Sequence, residues 1–330
     1  MMLMWIGIFL VSLLVMLKGA DFFLNSSERI GLAIGLSPFI IGVTIIAAGT
    51  SLPELISSLF AIADGVVDIP VANAIGSNIA NILLVIGVSA IIGRRMVIDK
   101  DLINLDLPLL ATSTALFVVI AWDKVITFPE AIILLIGHII YFLYSILYKE
   151  ESMISPDDIL LSKQPKDEPA VEPLDSTKKK PSFRMRDVGL MIVGALGLIF
   201  GAQYLIKSVI TLSEFWSIAP GIIAVTAVAF GTSLPELLVS GMAAYKGKAE
   251  VALGNIFGSN VFNLLVVVGV PALFTELTID EGTFTYGLPF LIIATLLFIF
   301  SGISRKIHHW EGAFYLLIYV VFTAKLFGLF

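Results

Sequence analysis

The seven residues GTSLPEL occupy positions 49–55 and recur unchanged at 231–237, each time inside a long apolar run. Pro53 has no N–H for the carbonyl of Gly49, and its ring crowds that carbonyl; Pro235 does the same to Gly231. Leu52 is pushed from helical geometry by the proline behind it, and glycine loosens the turn before it. A helical run should therefore break near 49–53 and near 231–235. Each break frees carbonyl oxygens, around Ala47, Ala48, Gly49 and Thr50 in the first copy and Ala229, Phe230, Gly231 and Thr232 in the second. Carbonyls, hydroxyls and a carboxylate are hard oxygen donors of the kind that Na⁺ and Ca²⁺ prefer.

Glu54 and Glu236 can be explained in two ways. Ser51-x-x-Glu54 and Ser233-x-x-Glu236 are both capping-box patterns that could restart a helix after the proline. Alternatively, each carboxylate does chemistry. Both lie in mid-span, where a charged side chain costs about 2.5–3.5 kcal/mol on insertion scales. A serine alone could cap without that cost, so the spacing favours a working carboxylate with capping as a second role.

A second repeated block, GSN, stands at 76–78 and 258–260. Ser77 and Asn81 are spaced i, i+4 and share a helix face, as do Ser259 and Asn263. Small residues with Asn are also ordinary helix-packing material. Two copies, each following a mid-membrane Glu at the same distance, point to ligands or direct supports of ligands. Thr44 and Thr226 have a lesser claim, because helical threonines commonly bond back to their own backbone.

The elements that carry these residues follow from composition. The chain has 330 residues, 58% hydrophobic and 14% charged, with a mean hydropathy of +1.00. Soluble domains are nearer half apolar and a quarter charged. Apolar runs of spanning length, roughly 17–25 residues, fall near 3–24, 37–63, 70–93, 104–121, 128–149, 187–208, 219–245, 250–274, 285–303 and 311–328. The expected fold is an all-α polytopic membrane protein of ten helices. The first run lacks a positive flank and an A-x-A-like site, so it reads as a working helix and not a leader.

One offset, 182 residues, relates the two halves. It pairs Gly19 with Gly201, Pro38 with Pro220, Glu54 with Glu236, Ser58 with Ser240, Asn73 with Asn255 and Asn81 with Asn263. The expected organisation is a five-helix repeat over 1–149, a polar linker over 150–186 rich in Pro, Ser, Lys, Asp and Glu, and a second repeat over 187–330. Five is odd, so the second repeat should enter from the opposite side. With the N-terminus outside, inner loops hold Arg94, Arg95, Lys100, Lys178, Lys179, Lys180, Arg184, Arg186, Lys246, Lys248, Arg305 and Lys306. This satisfies the positive-inside bias and places the linker in the cytoplasm, with the chain in the cell membrane.

Other chemistries are excluded or remain ordinary. There is no cysteine, hence no disulfide or thiolate site. Three histidines without HExxH argue against a zinc protease, and no basic, aromatic-interleaved patch suggests nucleic acid. His138 should be packed, and His308 and His309 solvated. Trp5, Trp122, Trp216 and Trp310 should anchor at the interfaces. Asp21 and Glu28 should sit at the inner water boundary, and Asp106 should snorkel.

Paired GTSLPE and GSNxxN blocks in two five-helix halves resemble the α-repeats of the calcium/cation antiporter family, in particular prokaryotic members of its Na⁺/Ca²⁺ exchanger branch. The resemblance covers both halves and fails only in the linker. It implies a transporter and no enzyme, with no resident cofactor, and with Ca²⁺ and Na⁺ as transported ions in the bilayer. It implies that Glu54 and Glu236 bind Ca²⁺. It also implies that Na⁺ uses Ala47, Thr50, Ser51 and Ser77 in one half and Ala229, Thr232, Ser233 and Ser259 in the other. Helices 1 and 6 would slide across the core to alternate access. Both Asn81 and Asn263 are Asn where some relatives, including potassium-dependent ones, carry an Asp. That leaves two core carboxylates and argues against potassium dependence. Three Na⁺ against one Ca²⁺ would move a net charge. A Ca²⁺/H⁺ antiporter of the same fold, or a passive cation channel, are the alternatives. One chain holds both halves, so a monomer should suffice.

Overall fold

The computed structural model describes residues 2–93, 95–97, 100–151, 183–215, 233–304 and 306–326. Helices dominate it. α1 runs Met2–Ala33, longer than the expected 3–24, because Asn25, Ser26, Ser27 and Glu28 continue the helix beyond the apolar stretch. α2 covers 38–50, starting behind Ser37, whose hydroxyl accepts from Ile40 N at 3.4 Å. It contains a π turn at Gly42–Ile46 and ends in Ala47–Thr50. α3 follows at Leu52–Ala63, α4 at Ile69–Ile92, α5 at Lys100–Ile120, α6 at Phe128–Glu151 and α7 at Met185–Phe215. α8 is Leu234–Tyr245, α9 Ala249–Ala272, α10 Leu288–Ile303 and α11 His309–Leu326.

Eight helical stretches among the described residues are long and apolar enough to cross a membrane, and the chain is a multi-pass membrane protein. Half of the expected span 219–245 lies outside the described residues, as do Trp216, Thr226 and most of the linker. α11 is helical where a tenth span was expected, but Glu311 and Lys325 shorten its apolar part.

Two features were not visible as apolar runs. First, the fold is almost, but not wholly, helical. Short antiparallel ribbons pair β1 (Arg95–Val97) with β4 (Lys306–His308), and β2 (Val125–Ile126) with β3 (Leu277–Thr278). The 182-residue offset carries one ribbon into the other with the halves exchanged. Arg95 opposite His308 becomes Leu277 opposite Ile126, and Met96 opposite Ile307 becomes Thr278 opposite Val125. Second, α4 and α9 each change to π geometry at matching places, Ala80–Val85 and Asn263–Val267.

α2, α4 and α9 form the enclosed centre. The close packing of α2 on α9 depends on missing side chains. A Cβ on Gly258 would lie 2.2 Å from Val43 O, and one on Gly254 would lie 2.4 Å from Phe39 O. α1 and α7 pack along each other in the same way, reciprocally. A Cβ on Gly19 would meet Gly194 O at 2.9 Å, and one on Gly201 would meet Ser12 O at 3.2 Å; Ser12 and Gly194 are themselves one offset apart. Without water to compete, close backbone approach and dispersion hold such helices together.

Two ordinary expectations need revision or agree. Asp106 does not snorkel; it is 3% exposed, near Tyr141, because α5 turns that face toward α6. His138 is packed, edge-on to Phe262 with ring centroids 5.6 Å apart. Trp122 and Trp310 are exposed.

Candidate cation-binding site

Ser51 breaks its helix, standing at φ −90°, ψ 4° between a helix that ends at Thr50 and one that starts at Leu52. Ser233 has the same backbone geometry, φ −88°, ψ 7°, immediately before the helix that starts at Leu234. Pro53 and Pro235 lie in the first turn of the new helix, where a missing N–H costs nothing. Glu54 and Glu236 fall in that same turn, at the positive end of the helix dipole. The break is a kink more than an open gap. Ser51 N–H still reaches Ala47 O at 3.0 Å, and Thr50 Oγ1 lies 3.3 Å from the same oxygen. The Ala47 carbonyl is thus less free than the proline argument expected, though its partners leave it lone-pair capacity.

The capping-box explanation does not hold. Neither Ser51 nor Ser233 makes a side-chain cap. Ser51 Oγ instead donates across the molecule to Glu236 Oε1 at 3.1 Å. Thr50 Oγ1 also crosses over, 3.1 Å from Asn255 Oδ1 and 3.4 Å from Ser259 Oγ. Asn255 Nδ2 donates to Ser240 Oγ at 2.8 Å, which fixes the amide's orientation toward Thr50. Thr44 does bond back, to Ile40 O at 2.6 Å, and takes the ordinary role.

Glu54 and Glu236 are both 0% exposed, and Glu236 lies close enough for its charge to bear on Glu54. No lysine or arginine pairs with either among the described residues. Among the described residues, both oxygens of Glu54 and Oε2 of Glu236 lack a hydrogen-bond partner, as do Ser233 Oγ and the amide atoms of Asn81 and Asn263. Ser77 is the hydroxyl that approaches Glu54. Two uncompensated buried carboxylates would each cost several kcal/mol. A cation between them removes that cost and uses the idle oxygens.

The structure therefore brings Glu54, Glu236, Ala47, Thr50, Ser51 and Ser259 into one connected set. Ser77 joins it at Glu54; Asn81, Asn263 and Ser233 are buried with idle polar atoms. Ala229 and Thr232 lie outside the described residues. The donor set is oxygen, with two carboxylates and neutral groups. Among the described residues no group of three or more His, Cys, Asp or Glu exists that could hold a transition metal. Sequence reasoning missed Asn255 and Ser240 as members of the network. Their signal was present: both sit at the 182-residue offset from Asn73 and Ser58. It also missed the π turns behind Asn81 and Asn263, which no residue spacing announces.

The chain was compared with known proteins. The family profile described as sodium/calcium exchanger protein matches residues 4–147 and 187–328. The sodium/calcium exchanger MaX1 of Methanosarcina acetivorans is 32% identical over 97% of both chains. The uncharacterized membrane protein MJ0091 of Methanocaldococcus jannaschii is 32% identical over 99% of both. Among solved structures, the sodium-calcium exchanger NCX_Mj soaked with Na⁺ and Ca²⁺ superposes with a TM-score of 0.77 at 31% identity, covering 97% of this chain and 98% of that one. By the profile match over both halves and by these relatives, the chain belongs to the sodium/calcium exchanger protein family.

Proposed function

We propose that this protein exchanges Na⁺ for Ca²⁺ across the cell membrane by alternating access, exporting Ca²⁺ as Na⁺ enters. The observation that carries the reading is the pair Glu54 and Glu236: equivalent in sequence, fully buried, unpaired by lysine or arginine among the described residues, and approached by the hydroxyls of Ser77 and Ser51 respectively. One Ca²⁺ balances their charge. Na⁺ ions divide the same oxygens among themselves, with Thr50, Ser51, Ser77 and the Ala47 carbonyl on one wall. Ser233 and Ser259 form the other wall, Thr232 and the Ala229 carbonyl, outside the described residues, being assigned to it by their sequence equivalence to Thr50 and Ala47, and Asn81 and Asn263 orient or complete the set. Three Na⁺ against one Ca²⁺ make the cycle electrogenic, worth about 2.3 kcal/mol per charge per 100 mV.

The architecture that suits this is ten helices in two inverted five-helix repeats, 1–149 and 187–330, joined by a cytoplasmic linker over 150–186. The N-terminus is outside and one chain is sufficient. The exchanged ribbon pairings and the reciprocal glycine contacts of α1 and α7 support a two-fold relation between the halves.

The test is radiolabelled Ca²⁺ uptake into Na⁺-loaded proteoliposomes diluted into Na⁺-free buffer at clamped pH. Uptake driven only by the Na⁺ gradient is expected. Uptake driven by a pH gradient alone makes the protein a Ca²⁺/H⁺ antiporter, and uptake with neither gradient makes it a channel.

A further inference from the structure

Asp21, Asn25 and Glu28 are spaced by four and three residues and share one face of α1. That face meets the turn between α8 and α9. Lys246 Nζ donates to Asp21 Oδ1 at 2.6 Å and to Asn25 Oδ1 at 3.1 Å. Asn25 Nδ2 donates to the same Asp21 oxygen at 2.9 Å. Lys248 pairs with Glu28. Gly247 between the lysines stands at φ +73°, a backbone position glycine reaches without strain, and turns the chain so that both lysines reach α1.

α1 and α7 are attached to the rest of the molecule differently from its other central helices. Their apolar windows are mostly open to lipid, whereas those of α4 and α9 are mostly enclosed. To each other they are tied closely, by the glycine contacts above and by Arg29 Nη1 to Asp187 Oδ1 at 3.1 Å. They form one closely packed unit.

The 182-residue offset maps this whole contact onto the other end of the molecule. Lys246, Gly247 and Lys248 become Asp64, Gly65 and Val66, in the turn between α3 and α4. Asp21, Asn25 and Glu28 become Gln203, Lys207 and Ile210 on α7. Gly65 has the matching left-handed turn, φ +81°. The charges are reversed but remain complementary: the turn now carries the acid and the helix the base. The second lysine pair is replaced by two apolar residues. Yet this second contact is not made. Asp64 and Val66 are exposed, Lys207 is exposed, and Asp64 and Lys207 do not pair with each other. α1 packs against α8, while α7 has no comparable packing against α3.

We infer that the two turns are alternating latches for the α1–α7 unit. The inner latch, Lys246 with Asp21 and Asn25 and Lys248 with Glu28, holds the arrangement seen here. The outer latch closes when the unit shifts: Asp64 takes Lys207 and Gln203, and Val66 covers Ile210. In an inverted repeat, exchanging the contacts of the halves produces the opposite-facing state. In the arrangement seen here the unit meets one turn and not the other, and the inference is that each latch excludes the other. The inference rests on the antiport reading, which supplies the need for two states.

The cysteine-free chain suits a cross-linking test in proteoliposomes. Asp21→Cys with Lys246→Cys probes the inner latch, and Asp64→Cys with Lys207→Cys the outer. A protease site in the polar stretch 152–182 lets a gel report the cross-link, since each pair joins the two halves. With copper phenanthroline as oxidant, both pairs are expected to cross-link. Ion conditions that speed one should slow the other, and each cross-link should stop exchange until it is reduced. If the outer pair fails to cross-link in every ion condition while the reduced variant exchanges Ca²⁺ for Na⁺, the inference is overturned. Exchange that continues through a cross-linked inner pair overturns it too. If the parent protein shows no exchange but the two pairs still cross-link in opposition, the antiport reading fails and the latches stand. A second probe avoids cysteine. Lys207→Glu sets two acids at the outer latch and should slow exchange several-fold, and adding Asp64→Lys should restore it. Absence of that restoration counts against the latch.

Discussion

Glu54 and Glu236 have the same neighbours in sequence and different neighbours in space. Glu236 accepts a hydrogen bond from Ser51 of the other half, whereas the equivalent Ser233 reaches no partner and both Glu54 oxygens are idle. Ser259 turns to Thr50, while Ser77, its counterpart, approaches Glu54. Duplicated sequence therefore produces duplicated helices but, for the serine–glutamate pairs Ser51–Glu236 and Ser233–Glu54, not duplicated hydrogen bonds. A hydroxyl follows the nearest acceptor, and small shifts between the halves decide which acceptor that is. The asymmetry belongs to one conformation. In a molecule that alternates, the two carboxylates should trade roles.

The largest expected effect comes from removing either charge. Glu54→Gln and Glu236→Gln should each fold and each lose Ca²⁺ flux by about 100-fold or more, the scale of breaking a buried charge interaction. Both must be lost for the two-walled site to stand; unchanged flux in either variant removes that residue from it. The next comparison is Ser51→Ala with Ser233→Ala. Ser51 donates to a carboxylate, a bond worth about 1.5–3 kcal/mol, so its loss should weaken Ca²⁺-dependent thermal stabilisation more than the loss of Ser233. Equal shifts would show that the halves are equivalent on the timescale of binding.

Asn255 and Asn73 offer a third contrast. Asn255 is 0% exposed and holds Ser240 and Thr50. Asn73, partly exposed, reaches Glu54 O, Ser57 and Ser58 at 3.2–3.3 Å. Asn255→Ala should lower stability by about 1–3 kcal/mol, as unsatisfied buried partners do. Asn73→Ala should lower it less, because water can replace the amide; melting in detergent measures both.

The smallest effect lies outside the spans. Lys124 donates to Glu281 at 2.6 Å, and that ammonium holds the Glu281 carboxyl below its ordinary value of 4.5. A depressed acid contributes stability above its unfolded value and loses it as pH falls through the folded one. Lys124→Gln should therefore leave the melting temperature nearly unchanged at neutral pH. It should also remove a slight dependence below about pH 4.5, since exposed pairs are worth little.

Much of the site could be read before any coordinates. Pro53 announced the kink at Ser51, and Pro235 the helix start at Leu234, since a missing N–H is a local property. The common offset of 182 announced which residues are counterparts, Asn73 with Asn255 included. Asp106 was misjudged because its burial depends on α6, whose Tyr141 lies 35 residues later in the chain, which no local pattern reveals. The two ribbons were missed because strands of two and three residues carry no periodicity.

The sequence by itself determined what is local or repeated: the spanning runs, the kinked helices, and a carboxylate with oxygen neighbours in each half. These follow from hydropathy, proline sterics and duplication, which act within a few residues or copy them intact. Only the tertiary structure decided that Ser51 serves Glu236 and not its own helix, that Thr50 crosses to Asn255, and that Lys246 and Lys248 reach α1 while Asp64 and Lys207 stay apart. The contacts among them join residues 185–225 apart in the chain, and a hydrogen bond is chosen by distances of a few tenths of an ångström that packing alone sets.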